Sequence, residues 1–268
     1  MRGSEKEFFD AMAVRYQSYA ILVPGASKFR NMLLDKAMRK ALTPILESFS
    51  EMLVLDVGCG TGRWTKITSN KNSVVGIDIS RFMIKMAKDS CKGKICSFLV
   101  ADASSLPFKE NVFDLVISIT VLQHILETEN FAKALSEIAR CCKSEALIAE
   151  EMWSDKETLL RNVYCPIRIL PVEFYARRLL VAGLHTYCLC GITPAPLAIL
   201  LARMFGSMFM SSEGLVNVKV KASRVISRLV HFALGIGILS AIFTPKGQYN
   251  PSFSLHTIIL AKKEGSED

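Results

Sequence analysis

The stretch VLDVGCGTGRW, residues 54–64, decides the fold. Apolar residues lead into Asp56, and Gly58, Gly60 and Gly62 then stand at every second position. Glycine costs backbone entropy inside an ordered element, so a run of it has a geometric reason. An apolar run, a glycine turn and a helical start read as strand, turn and helix. In that unit bare backbone and the free N–H groups of the helix start can press against a ligand. The pattern is G-x-G-x-G: Arg63 occupies the place where the dinucleotide fingerprint G-x-G-x-x-G requires another glycine.

Outward from this turn, strands and helices alternate. Continuous apolar runs at 52–57, 73–79, 95–102, 112–120 and 145–151 read as buried parallel strands. Helical spacing predicts helices at 62–69, at 80–90 behind the N-cap candidate Ser80, and at 129–142. A helix at 171–182 with Gly183 after it precedes a sixth strand near 184–190, and 252–263 reads as a last strand. Residues 28–48 are helical in spacing, with a break expected near Pro44. Alternation of this length means an α/β, doubly wound parallel sheet.

Asp78 ends the second strand, 20 residues after Gly58. An acidic residue there accepts the hydroxyls of a ribose, so a nucleoside-containing ligand is expected. Four separated segments then agree. VLDVGCGTG, GIDIS, ADASSLPFKENVFDLVISITVLQHI and HTIILAKK resemble, in order and spacing, the class I S-adenosylmethionine-dependent methyltransferases, in particular the small-molecule group that includes the ubiquinone/menaquinone enzymes. The likeness is close over 52–150 and looser over the terminal segment, which would be that family's antiparallel seventh strand. It implies a Rossmann-like, doubly wound seven-stranded sheet with an antiparallel last strand, N-terminal helices (1–50, a cap) and a domain over 51–268 with a helical insertion at 191–250.

The resemblance also implies roles. Asp56 would hold the methionine ammonium through water. Gly58, Cys59, Gly60 and Gly62 would pass beneath methionine and ribose, and Asp78 would take the ribose hydroxyls. Ile79 and Met83 would line the adenine. Asp102 would accept from its amino group while the Ala103 N–H donates to the ring. Ile119 and Thr120 would border the transferable methyl. The cofactor is S-adenosyl-L-methionine, and Tyr16 and Tyr19 would cap it.

Methyl transfer from a sulfonium is an in-line displacement, so the protein mainly aligns the nucleophile and excludes water. His124, just after the fourth strand, is the candidate general base. Its alternative role is to orient the loop or contact the cofactor. Glu150 and Glu151 end the fifth strand on the same edge, and solvated carboxylates are the simpler expectation for them. Trp64 and Trp153 are expected to pack. His185, His231 and His256 stand in apolar sequence and are expected to be structural, and Arg177 and Arg178 to face solvent.

Eight cysteines show no repeated metal-ligand spacing, so they read as reduced, mostly buried thiols of a cytosolic chain, and no metal is expected. The first residues, MRGSEKEFFDAMAVRY, lack the apolar core of a signal peptide. Net charge is +8 in 268 residues, and it is uneven. Between His185 and Asn250, Arg203, Lys219, Lys221, Arg224, Arg228 and Lys246 stand against Glu213 alone. Residues 179–202 carry no formal charge, but Gly191, Pro194 and Pro196 interrupt them, which argues against a span. Basic stretches beside apolar ones suit a lid over a greasy acceptor, or a segment lying on a membrane surface. The expected partner is a small acceptor, hydrophobic, isoprenoid or lipid-linked; for 191–250, peripheral membrane contact stands against the alternative of a helical insertion packed on its own domain with solvated lysines. A tRNA methyltransferase is the alternative, though aromatics for base stacking do not accompany the basic residues. A non-catalytic cofactor-binding module of the same fold is a third reading, and an NAD oxidoreductase the weakest.

Overall fold

The computed structural model describes residues 7–11, 28–152, 157–160, 166–192 and 256–265. After helix α1 (Lys28–Ser48) the elements alternate: β1 (Leu53–Val57), α2 (Arg63–Thr68), β2 (Ser73–Asp78), α3 (Arg81–Ser90), β3 (Cys96–Val100), β4 (Phe113–Ile119), a 3-10 turn at Leu122–His124, α4 (Thr128–Cys141) and β5 (Cys142–Glu151). Then come β6 (Thr158–Leu160), β7 (Ile167–Ile169), α5 (Val172–Val181), β8 (Leu184–Gly191) and β9 (His256–Lys263). One sheet runs β3-β2-β1-β4-β5-β9-β8, and β6-β7 form a separate antiparallel pair that the periodicity did not announce. The first five sheet strands are parallel, and β9 lies antiparallel between β5 and β8. This is the Rossmann-like, seven-stranded arrangement with an antiparallel last strand.

Side chains alternate across the pleat, so one strand feeds two cores. Leu55, Val57, Ala146, Ile148 and Ile259 pack with Phe131, Leu135, Ile138 and Tyr175 of α4 and α5. Val54, Leu147, Ala149 and Ile258 face the other way, against Met38, Leu42 and Leu46 of α1 and Trp64 of α2. Helix α1 runs through Pro44, where a break was expected. Its buried face is continuous on both sides of that residue, Ala41 and Leu42 before it and Leu46 after it. Packing outweighs the one backbone bond a proline removes.

The insertion at 191–250 lies outside the described residues except for Gly191 and Ile192, as do Tyr16, Tyr19, Trp153, Cys165 and His231. Among the described residues, no helix is long and apolar enough to cross a membrane.

Candidate functional site

The carboxyl ends of β1, β2 and β4 bring the expected residues to one edge. All three glycines of the turn have positive φ, at 72°, 53° and 79°. Their surroundings differ. A Cβ on Gly58 would lie 2.3 Å from Val121 Cγ2, and one on Gly62 would lie 3.0 Å from Cys91 Sγ and 3.2 Å from Ala87 Cα. A Cβ on Gly60 would meet nothing within 4 Å among the described residues. So two of the glycines are bare because the protein's own β4 turn and α3 press on them. Of the three, only Gly60 has no described atom against it, and this is the cradle a ligand would fill.

Asp78 fastens that cradle. Its Oδ2 accepts the Gly60 N–H and its Oδ1 the Ser80 N–H, both at 2.9 Å. Burial pushes its carboxyl up to about 6 against the pull of those two bonds. Each oxygen keeps a further lone pair for a ribose hydroxyl. Asp56 is buried, and its Oδ2 accepts from Thr65 Oγ1 at 2.6 Å. Burial raises it to about 7, with the Asp78 charge adding to the rise. A carboxyl so desolvated gains most from a cation beside it. Cys59 is buried, its N–H donates to the Ile77 carbonyl, and its thiol is pushed far above the usual range by burial.

Ser80 caps α3 by accepting the Met83 N–H, and its own hydroxyl donates to Asp10. Met83 packs with Phe8, Phe9, Phe82 and Met86. Phe9 also meets the His124 ring edge-on, with centroids 5.3 Å apart. Residues 7–11 therefore reach from the end of β2 to the end of β4, across the glycine turn of β1. Phe9 and Asp10 were missed in the sequence, although FFD was legible as an aromatic–acidic cluster close to the predicted cap. Ile79 is half-buried at the end of β2.

The Asp102 carboxylate turns back on its own chain: Oδ1 accepts from the Ser104 N–H and Oγ at 2.8 and 2.7 Å. Ala103 lies inside that turn, half-buried. Ile119 is buried at the end of β4, and Thr120 follows with φ 59°, a costly conformation for a β-branched residue. The Thr120 N–H donates to the Ala149 carbonyl at 2.8 Å.

What holds this strained turn is Glu150. Its expected solvation is overturned: it is completely buried, and it accepts the backbone N–H groups of Val121, Leu122 and Gln123. Burial pushes its carboxyl up to about 8, against those three bonds. Gln123 returns the tie by accepting the Glu151 N–H at 3.1 Å. His124, on this turn, has its pKa pressed down to about 4 by burial, opposed by a hydrogen bond to the Pro166 carbonyl. Its imidazole is neutral at pH 7 and weak as a base.

On the far side of the turn, Trp64 is a core residue, as expected. Arg63 is not solvated: its guanidinium covers the Trp64 ring at 4.1 Å and lies 2.7 Å from Asp35. His256, expected among apolar residues, stands 3.7 Å from Glu151 and feels the Arg63 charge. His185 is exposed beside Glu264, and Arg177 and Arg178 face solvent.

Residues 55–149 match the family profile described as a methyltransferase domain. The chain is 33% identical over 199 residues to a tRNA (carboxymethyluridine(34)-5-O)-methyltransferase of Arabidopsis thaliana, covering 65% of this chain and 48% of that protein. It is 31% identical over 146 residues to a malonyl-[acyl-carrier protein] O-methyltransferase of Buchnera aphidicola, covering 53% of this chain and 51% of that one. The chain thus spans about half the length of each. Among solved structures, magnesium protoporphyrin IX methyltransferase of Synechocystis, with S-adenosylmethionine bound, superposes with a TM-score of 0.60 at 15% identity, covering 98% of this chain and 97% of that one. A Haloferax volcanii chain in complex with the Trm112 methyltransferase activator gives 0.59 at 17% identity, covering 98% of both. At such identities these two establish the shared fold alone.

Proposed function

We propose that this chain, residues 55–149 of which match a methyltransferase domain, transfers the methyl group of S-adenosylmethionine to a small acceptor with an apolar body. The observation that carries this reading is Gly60, with no described atom within 4 Å of a Cβ there and its N–H held by Asp78, together with the buried Asp56 carboxyl on the strand that leads into the turn. These residues fit the cofactor's two polar ends. Asp56, raised to about 7, suits the ammonium group, and Asp78 suits the ribose hydroxyls. S-adenosylmethionine supplies a methyl already activated on a sulfonium.

The chain's own contribution is then alignment and exclusion of water, which can be worth roughly 7–11 kcal/mol. Glu150 fixes the turn bearing Thr120 and His124 through three backbone bonds. Phe9, against His124, and Met83 supply an apolar cover. An imidazole at about 4 gives little general-base help at neutral pH. An acceptor already deprotonated there, or one needing no base, suits the site. The uncharged stretches and basic residues of 191–250 support an amphiphilic acceptor, lipid-linked or isoprenoid, approached at a membrane surface.

A second reading, methylation of tRNA, is favoured by the likeness to the Arabidopsis protein. One experiment separates the two. The chain is incubated with methyl-labelled S-adenosylmethionine and a cell extract, and the products are split into solvent-soluble small molecules and RNA. Label in the small-molecule fraction supports the proposal. Label released only by ribonuclease assigns tRNA instead.

A further inference from the structure

Arg63 begins α2 immediately after the glycine turn, and only 7% of its side chain is exposed. Its Nε stands 2.7 Å from Asp35 Oδ1, near enough for an ion pair but off the line of a hydrogen bond. Asp35 also serves Arg39, whose Nε donates to Oδ2 at 2.9 Å. One carboxylate is therefore shared between two guanidiniums. The Nη2 of Arg63 is buried and has no hydrogen-bond partner among the described residues. A buried donor on a charged group is costly to leave unpaired, so this nitrogen has the character of a site awaiting an acceptor.

The guanidinium is also pre-set. The Trp64 ring lies under it at 4.1 Å, and the Asp35 carboxylate stands as an ion-pair partner beside Nε. A planar, desolvated, oriented fork matches the oxygens of a carboxylate or phosphate. Its place in the sheet narrows the source. The guanidinium covers Trp64, which shares a buried cluster with Leu147 and Ala149 of β5 and Ile258 of β9; the first residue of β9, His256, pairs with Glu151 at the end of β5. Asp78 and Asp102, the expected ribose and adenine seats, lie at the ends of β2 and β3, toward the opposite edge of the sheet. Asp56, the expected ammonium seat, is engaged by Thr65 and feels Asp78, whereas the charges on Arg63 are those of Asp35 and Arg39.

We propose that the Arg63 guanidinium holds an oxyanion of the acceptor, a carboxylate or a phosphate, over the β5–β9 side of the carboxyl edge. This rests on the methyltransferase reading. It makes the acceptor an amphiphile: an apolar body with one anionic group that Arg63 positions against the methyl.

The test uses the full chain saturated with S-adenosylhomocysteine, with the arginine side-chain N–H signals followed by nuclear magnetic resonance. Inorganic phosphate and acetate are the probes, and chloride at equal ionic strength is the control. The Arg63 signal should shift saturably with phosphate or acetate and not with chloride. Arg63→Lys keeps the charge and loses the fork, and should weaken the probe about tenfold or more, the worth of one charge-assisted bond. Asp35→Asn removes the competing carboxylate and should tighten it, an effect opposite to that of a folding defect.

Three results overturn the proposal. If S-adenosylhomocysteine alone shifts Arg63 and Arg63→Lys weakens its binding, the cofactor's own carboxylate is the ligand. If it binds elsewhere and neither probe moves Arg63, the guanidinium is a structural ion pair. If it does not bind at all, the methyltransferase reading fails first, and that is recognisable by itself.

Discussion

Glu150 accepts the backbone N–H of Leu122 at 2.9 Å, with Glu150 next to the end of strand β5 and Leu122 at the head of a 3-10 turn. The same carboxylate takes the N–H groups of Val121 and Gln123. It is the acceptor for a turn that has no regular helix to satisfy it. Thr120, just before, sits at φ 59°, and Gly58 has Val121 against its Cα. Strand β5, the β4 turn and the glycine turn are therefore one assembly.

The first prediction removes the acceptor. Glu150→Ala strands three buried N–H groups and should cost about 3–5 kcal/mol. Glu150→Gln has the same size, but its amide nitrogen meets an N–H group, so it should cost less and still more than about 1 kcal/mol. Denaturant midpoints of the two variants check both figures. Equal stability in Glu150→Ala would mean that water replaces the carboxylate.

The second prediction separates the glycines. Gly58→Ala drives a methyl into Val121, and Gly62→Ala into Cys91 and Ala87, both at positive φ. Both should destabilise the fold. Gly60→Ala meets no atom of the described residues, so it should cost only the strain of its φ, about 1–2 kcal/mol. Its methyl would instead occupy the cradle, and S-adenosylhomocysteine binding should fall at least about tenfold, or 1.4 kcal/mol. Thermal unfolding and calorimetry on the three variants decide. Undiminished binding in Gly60→Ala would place the cofactor elsewhere.

The legible parts were those written in local pattern. Apolar runs gave β1, β2, β4 and β5, and Ser80 was readable as a cap because a cap is a property of four neighbouring residues. The glycine turn was legible as a turn, but not the reason for each glycine: Val121 is remote in sequence from Gly58. Glu150 reads as an ordinary strand-end carboxylate, since nothing local says that three N–H groups from residues 121–123 converge on it. His256 has apolar neighbours in sequence and polar ones in space, because β9 is inserted beside β5. Arg63 looked like the failure of a dinucleotide motif, and its burial follows only from α1 packing across α2.

The third prediction concerns stability and pH. Asp56 and Glu150 are raised to about 7 and about 8 in the fold, from ordinary values of 3.8 and 4.5. His124 and His256 are lowered from 6.5 and act the other way, but only below that pH. Between pH 6.5 and 8 the native chain therefore carries protons on these carboxyls that the unfolded chain has lost. Stability falls as pH rises wherever the native state binds more protons. The ligand-free protein should unfold at lower denaturant at pH 8 than at pH 6.5. A flat or rising profile would show that the two carboxyls ionise normally.

The fourth prediction concerns binding and pH. A ligand ammonium beside Asp56 favours its ionised form, so binding should expel a proton. S-adenosylhomocysteine affinity should then weaken as pH falls, by up to about tenfold per pH unit below the Asp56 value of about 7. Asp56→Asn should bind more weakly and lose that slope. Calorimetry in buffers of different ionisation heat counts the proton directly. A slope that survives in Asp56→Asn would assign the linkage to Asp78, itself raised to about 6.

The last prediction concerns His124. A general base, once removed, lowers turnover and leaves cofactor affinity alone. His124 instead stacks its ring edge against Phe9, and its pKa of about 4 leaves it neutral through the physiological range. Phe9 in turn packs with Met83, whose expected place is beside the adenine. The two rings form one cover, and aromatic pairs of this geometry contribute about 0.5–1.5 kcal/mol. His124→Ala and Phe9→Ala should therefore each weaken S-adenosylhomocysteine binding by roughly two- to tenfold. The double variant should weaken it by less than the product of the two, because the contact is lost only once. Calorimetry on all four proteins closes that cycle. Unchanged affinity in His124→Ala, with turnover down about a hundredfold or more, would restore the base.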